Sequence, residues 1–148
     1  MTVTDRFALP LLAAAQAQKE VTHNEALARV DALLHAVVVA VGGALPASPT
    51  PGQSWIVGTG AGGAWAGQDG ALATWTAGGW RFIAPVTGMA VWSLADQGLA
   101  RRTPTGWSIG SRRAALVDPS GGSVRDEEAR TAIAAILATL RTHGLIAI

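Results

Sequence analysis

The chain has no cysteine and no tyrosine, two phenylalanines and a single lysine, Lys19, among 148 residues. Without cysteine there are no disulfides, no thiolate metal sites and no thiol nucleophile. One lysine and a formal net charge of +1 leave no concentrated basic surface for tracking phosphates, which argues against a nucleic-acid partner. Charged residues make up only 14% of the chain, so partner chains are expected to cover much of its surface. A long uninterrupted apolar run is missing too. The most apolar stretch, Ala26 to Val41, is broken by Arg29, Asp31 and His35, so no membrane insertion is expected. The opening "MTVTDRFALPLLAAAQ" has no basic region ahead of its apolar part and does not read as a signal peptide.

Chemistry-bearing patterns are equally sparse. The three histidines, His23, His35 and His143, have no metal-ligand spacing among them, and HExxH, GxSxG and P-loop patterns do not occur. No metal or cofactor is expected. Between Gly42 and Gly122 the only acidic residues are Asp69, Asp96 and Asp118, so paired carboxylates for acid–base work are absent there. The run "QAQKEVTHNEAL", residues 16 to 27, holds the one tight acid–histidine cluster, His23 with Glu20 and Glu25. It reads as a polar elbow and capped helix start whose side chains satisfy backbone groups; a glycan hydrolase using His23 and Glu25 is the weaker reading. The expectation is a protein that is not an enzyme.

What the chain does have is a division into three segments. Of 18 glycines, 17 fall between Gly42 and Gly122, and all six tryptophans lie between Trp55 and Trp107. The flanks are rich in Ala and Leu. The fold class read from this is α+β: residues 1–43 an N-terminal arm and helix for attachment and oligomerisation, 44–122 a small antiparallel Gly/Trp-rich β domain, and 123–148 a C-terminal trimerisation helix.

Thr22 and Glu25 have capping-box spacing and predict a helix starting at "THNE". Leu27, Val30, Leu34, Val37 and Val41 then recur at three- and four-residue steps, until Gly42 and Gly43 stop the helix. This seam reads either as packing within the domain or as a subunit interface. In "SVRDEEARTAIAAILATLRTHGLIAI", Ser123 or Asp126 caps a second helix, and Arg141, His143 and Gly144 close it. Ala129, Ile133, Ile136 and Leu140 form its a/d seam, and isoleucine at both a and d favours three strands over two.

The extended linker "ASPTPG" leads into strands at "GQSWIVG", "GAWAG", on both sides of the Gly-Gly turn in "GALATWTAGGWRFIAP", and in "GMAVWSLADQGLARRTPTGWSIG". "ATWTAGGW" loosely echoes the later "AVWSLADQGLARRTPTGW". With so few other large side chains, most tryptophans must fill the core. Trp80 and Trp107, each just after a glycine turn, are the candidates for exposure and glycan contact. Arg101-Arg102 and Arg112-Arg113 read as solvated loop charges.

"LPLLAAAQAQKEVTHNEALARVDALL", "PGQSWIVG" and "GAWAGQDGALATWTAGGWRFIAPVTGMAVW" together resemble the DUF2793 family over residues 7 to 109. Its members occur in tailed phages, prophages and gene transfer agents. The closing "DEEARTAIAAILATLRTHGLI" is similar to the helical ends of trimeric phage head-fibre and tail-fibre proteins. The resemblance implies a virion structural component, a fibre or head-spike subunit supporting host attachment, located on the phage-like particle and assembled in the bacterial cytoplasm. Since the chain ends soon after the final helix, a short spike or a connector to a receptor-binding spike or fibre subunit is expected. The partners expected are two further copies in a homotrimer and a capsid or tail protein. The latter would bind the N-terminal arm through Phe7, Leu9, Leu11 and Leu12, the arm folding only against it. The oligomer interface would use Leu27, Val30, Leu34, Val37, Ile133, Ile136 and Leu140. A receptor module recognising host surface polysaccharide is the alternative.

Overall fold

Residues 2–13, 19–110, 115–142 and 145–146 are described by a computed structural model, and their fold is α+β. Two compact units, Met1–Gly110 and Ser111–Ile148, make up the chain.

In the first unit, helix α1 spans Lys19–Leu33. It therefore ends well short of Gly42, and Thr22 lies inside it instead of capping it. The turn after Leu33 has two causes. His35 adopts a left-handed backbone, φ 46°, and the guanidinium of Arg6 collects the free carbonyls at the helix end. Its Nη1 donates to the carbonyls of Asp31 at 2.7 Å, Ala32 at 3.1 Å and Leu34 at 3.1 Å, and its Nη2 to that of His35 at 3.0 Å. The valines that continued the expected helical seam then run as strands, where their β-branched side chains pack well. Val37 lies in β1 (Val37–Val38) and Val41 in β2 (Val41–Gly43).

The remaining strands are β3 (Ser54–Val57), β4 (Leu72–Thr76), β5 (Gly79–Ile83), β6 (Ala90–Ser93), β7 (Gly98–Thr103) and β8 (Gly106–Ile109). They form two four-stranded sheets, ordered β1-β6-β7-β8 and β2-β3-β4-β5. Each sheet is an antiparallel three-strand meander with one parallel strand added from the valine run. The expected strand at "GAWAG" is instead a 3₁₀ turn, Gly63–Trp65, within the long β3–β4 connection.

The two meanders repeat one another in detail. Gly52 N donates to Trp75 O at 2.8 Å and Gly88 N to Arg102 O at 2.9 Å, and both glycines have positive φ, 88° and 90°. The final hairpins read "TAGGW" and "TPTGW". In each, the threonine hydroxyl donates across the turn, Thr76 to Gly79 O at 2.8 Å and Thr103 to Gly106 O at 2.9 Å. The echo in the sequence therefore marks equivalent hairpins at its Gly-Trp ends, whereas "ATW" lies in β4 and "AVW" in β6, which is the counterpart of β3.

The two sheets do not meet through equivalent faces. Ile56 and Leu72 of one sheet share a core with Val38, Val91 and Ala100 of the other, joined by Trp107 and Ile109. By the matched hydrogen bonds, Val91 and Trp107 are the counterparts of Trp55 and Trp80. Yet Trp55 and Trp80 lie in a second cluster, on the outer face of their sheet, with Val57, Trp65, Ala73, Trp75 and Phe82. The meanders thus stack in the same sense, one behind the other. Trp65 is fully buried and closes the outer face of the β2–β5 sheet.

In the second unit, helix α2 spans Glu127–Thr142 and is capped by Asp126, whose Oδ1 accepts the Ala129 amide at 2.8 Å. That is one of the two caps expected, and Arg141 lies in the last turn as expected. His143, Gly144, Arg112 and Arg113 lie outside the described residues, as do Gln16 and Gln18. The segment 115–122 runs antiparallel along α2. Arg130 Nη1 donates to Pro119 O at 3.1 Å and its Nη2 to Gly121 O, while Arg141 Nη2 donates to Leu116 O at 2.6 Å and pairs with Asp118.

Candidate functional site

The helix that carries the acid–histidine cluster turns Glu25 away from His23, while Glu20, three residues before His23, stays on its side of α1. His23 and Glu25 are two residues apart and so about 200° apart around α1. His23 Nδ1 lies 2.8 Å from the carbonyl of Lys19, one turn back, and donates to it. Glu25 points the other way, to Arg81 of β5 at 3.0 Å and Arg29 at 3.6 Å. Glu25 is thus engaged by arginines away from His23, and no group of acidic and histidine residues suited to a metal ion occurs among the described residues.

What the run does is hold the arm. Asn24 reaches across to Leu12, its Oδ1 accepting the Leu12 amide at 2.9 Å and its Nδ2 donating to the Leu12 carbonyl at 3.0 Å. Farther along α1 the buried carboxylate of Asp31 accepts from the Thr4 hydroxyl at 2.7 Å and from the amides of Arg6 and Phe7 at 2.9 and 2.8 Å. The arm closes on itself through Thr4 N to Leu9 O and Leu11 N to Thr2 O. Its expected folding only against a partner is thus corrected: residues 2–13 take their structure against α1, because Asp31 and Asn24 supply the partners that the arm's backbone needs. A cavity of about 320 Å³ lies between arm, helix and the β4–β5 hairpin, bordered by Val3, Leu11, Val21, Ala28 and the Glu25–Arg81 pair.

Of the arm residues assigned to attachment, Phe7 (41%) and Leu12 (49%) are exposed, whereas Leu9 and Leu11 are half-buried. Among the residues assigned to the oligomer interface, Val30 and Leu34 are exposed and Leu27 is half-buried on α1. Val37 has left the helix for the sheet, opposite Trp92. Leu33, beside the expected seam, joins Val30 and Leu34 in an uncovered apolar strip. On α2 three of the four predicted seam residues are uncovered: Ala129, Ile133 (44%) and Ile136 (58%) are exposed, and Leu140 is half-buried. The helix instead buries Leu137, on the flank that carries Arg130 and Arg141.

The tryptophans fall differently from the expectation of exposure after glycine turns. Trp80 is half-buried at the centre of an aromatic cluster, its ring 5.0 Å from Trp75, 5.2 Å from Trp65 and 5.6 Å from Trp55. Trp107 packs into the core between the sheets, and its Nε1 donates to Gly70 O at 2.8 Å. Both turns return the chain over an apolar face, which draws each indole inward. Trp92 is the exposed one, 43%, paired across strands with Leu99 and two residue pairs along the ladder from Arg101, on the same face. Its alternation with buried Val91 and Ser93 was the signal in "AVWS" that could have found it.

No helix among the described residues is long and apolar enough to cross a membrane. No curated protein matches the chain. The family model described as a protein of unknown function, DUF2793, matches residues 23–108, from the Asn24 clamp through both meanders to the Trp107 hairpin. The chain belongs to the DUF2793 family.

Proposed function

We propose that this protein is a non-enzymatic structural subunit of a tailed-phage or gene-transfer-agent particle, a homotrimeric fibre, head spike or connector that supports host attachment. The observation that carries the reading is the uncovered α2 seam, with Ile133 and Ile136 exposed at a and d positions on a helix that buries Leu137 on another flank. Isoleucine at both positions favours three chains, and an isolated helix of this length is marginal in water. The resemblance to virion fibre and spike proteins supplies the particle context. Phe7 and Leu12, exposed on the folded arm, are the contacts offered to a capsid or tail protein, and Val30, Leu33 and Leu34 widen the apolar surface for assembly.

Two measurements test this. Light scattering of the purified chain should give three times the 15.1 kDa monomer mass, and Ile136→Asp should return it to one. A wild-type monomer removes the trimer. Phe7→Ser with Leu12→Ser should leave the fold intact and abolish co-purification with particles; undiminished incorporation removes the arm as the attachment.

The alternative reading, a module that binds host surface polysaccharide, is favoured by one observation: Trp92 is exposed on a sheet face that also carries Arg101. An indole face stacks on a sugar ring, and a guanidinium holds an acidic substituent. Binding to a host polysaccharide that is lost on Trp92→Ala with the fold retained would promote it over the connector.

A further inference from the structure

Helix α2 has two unlike flanks on either side of its seam. With Ile133 at a and Ile136 at d, Arg130 and Leu137 occupy e positions, and Ala132 and Thr139 occupy g positions. The e flank is closed by the chain's own segment 115–122. Arg130 and Arg141, 11 residues apart and about 16 Å along the helix, fix that segment by its carbonyls, and Leu137 is buried on the same flank. Among the described residues the g flank has no such cover: Ala132 and Thr139 are both exposed. The segment also carries apolar side chains that its own helix does not use, Leu116 at 44% exposure and Val117 at 92%.

In a parallel bundle the e flank of each helix faces the g flank of the next. We propose that residues 115–122 are a strap between chains: each copy's strap, held on its own α2 by Arg130 and Arg141, lays Val117 and Leu116 over the Ala132–Thr139 flank of the neighbouring copy. The occupant of the uncovered face is a second copy of this chain, and the interface continues the strap–helix contact already formed within each chain. Because the two surfaces differ, the contact is head-to-tail around the axis and closes as a ring, which a three-chain bundle satisfies. The strap also explains why the cations at positions 130 and 141 bind carbonyls of their own chain instead of acidic residues on a partner helix. This inference rests on the trimer reading and adds the partner surface.

The absence of cysteine makes the test direct. Thr139 and the strap lie about 180° apart around one helix, so a disulfide between positions 117 and 139 cannot form within a chain. The full-length double variant Val117→Cys/Thr139→Cys, oxidised, should run as covalent dimers and trimers on a non-reducing gel, while neither single variant gives a trimer. A trimeric mass by light scattering without those species overturns the strap and leaves the trimer standing. A monomeric mass overturns both. Should the double variant misfold, Val117→Asp serves instead: Val117 is exposed in the single chain, so its circular dichroism should be unchanged while trimer dissociation moves to at least tenfold higher concentration. An unchanged dissociation concentration overturns the proposal.

Discussion

Thr4 donates its hydroxyl to the buried carboxylate of Asp31 across 2.7 Å and 27 residues of sequence. The same carboxylate takes the amides of Arg6 and Phe7, while Arg6 returns its guanidinium to the carbonyls that end α1. Arm and helix end are thus one polar knot, and each half satisfies groups the other leaves bare.

Removal of the carboxylate should open that knot. Asp31→Ala leaves the Thr4 hydroxyl and two amides without an acceptor, each worth about 1–3 kcal/mol when buried unpaired. The expected loss is about 3 kcal/mol in urea unfolding, with residues 2–13 becoming the first site cut by a protease. An arm that stays protected in the variant would show that Asn24 alone holds it.

Trp65 tests what closes the aromatic cluster. Its ring is fully buried, and its Nε1 has no hydrogen-bond partner among the described residues. Trp65→Phe keeps much of the ring and removes the unpaired donor, so stability should change by no more than about 1.5 kcal/mol. Trp65→Ala should cost about 3–5 kcal/mol. Equal losses in thermal unfolding would mean that the indole nitrogen is bonded.

Gln97, in the β6–β7 turn, has φ 49°, a conformation that costs an L-residue about 1–2 kcal/mol. Gln97→Gly relieves it against the greater unfolded-state freedom of glycine, for a net gain of about 0.5 kcal/mol. A lower denaturation midpoint would contradict that account.

Trp80 and Trp92 should separate fold from surface. Trp80→Ala opens a hole among four aromatic neighbours and should cost about 3–5 kcal/mol. Trp92→Ala, on the exposed face, should cost about 1 kcal/mol or less in a chain studied without partners. Comparable losses would mean that another surface covers Trp92.

The α+β class, the meander turns, the Asp126 cap and the α2 seam were legible in the sequence, because each rests on contacts a few residues apart. Helical spacing, Gly-Gly hairpins and capping side chains act within one turn. The limits of the N-terminal helix were not legible. "ARVDALLHAVVVAV" satisfies helical periodicity throughout, and Arg6, some 25 residues earlier, together with the left-handed turn at His35, ends it at Leu33. Nor could spacing say which tryptophan faces solvent, since that depends on which face of each meander the other covers. The polar run "QAQKEVTHNEAL" shows the same division. Its residue types promised local chemistry, but the helix turns His23 and Glu25 apart and gives Asn24 to the arm and Glu25 to Arg81. Sequence by itself determined the α+β class and which face of α2 carries the apolar seam. The tertiary structure decided where α1 stops, which indoles are buried and what holds the arm, because those outcomes depend on hydrogen bonds and packing between residues distant in the chain.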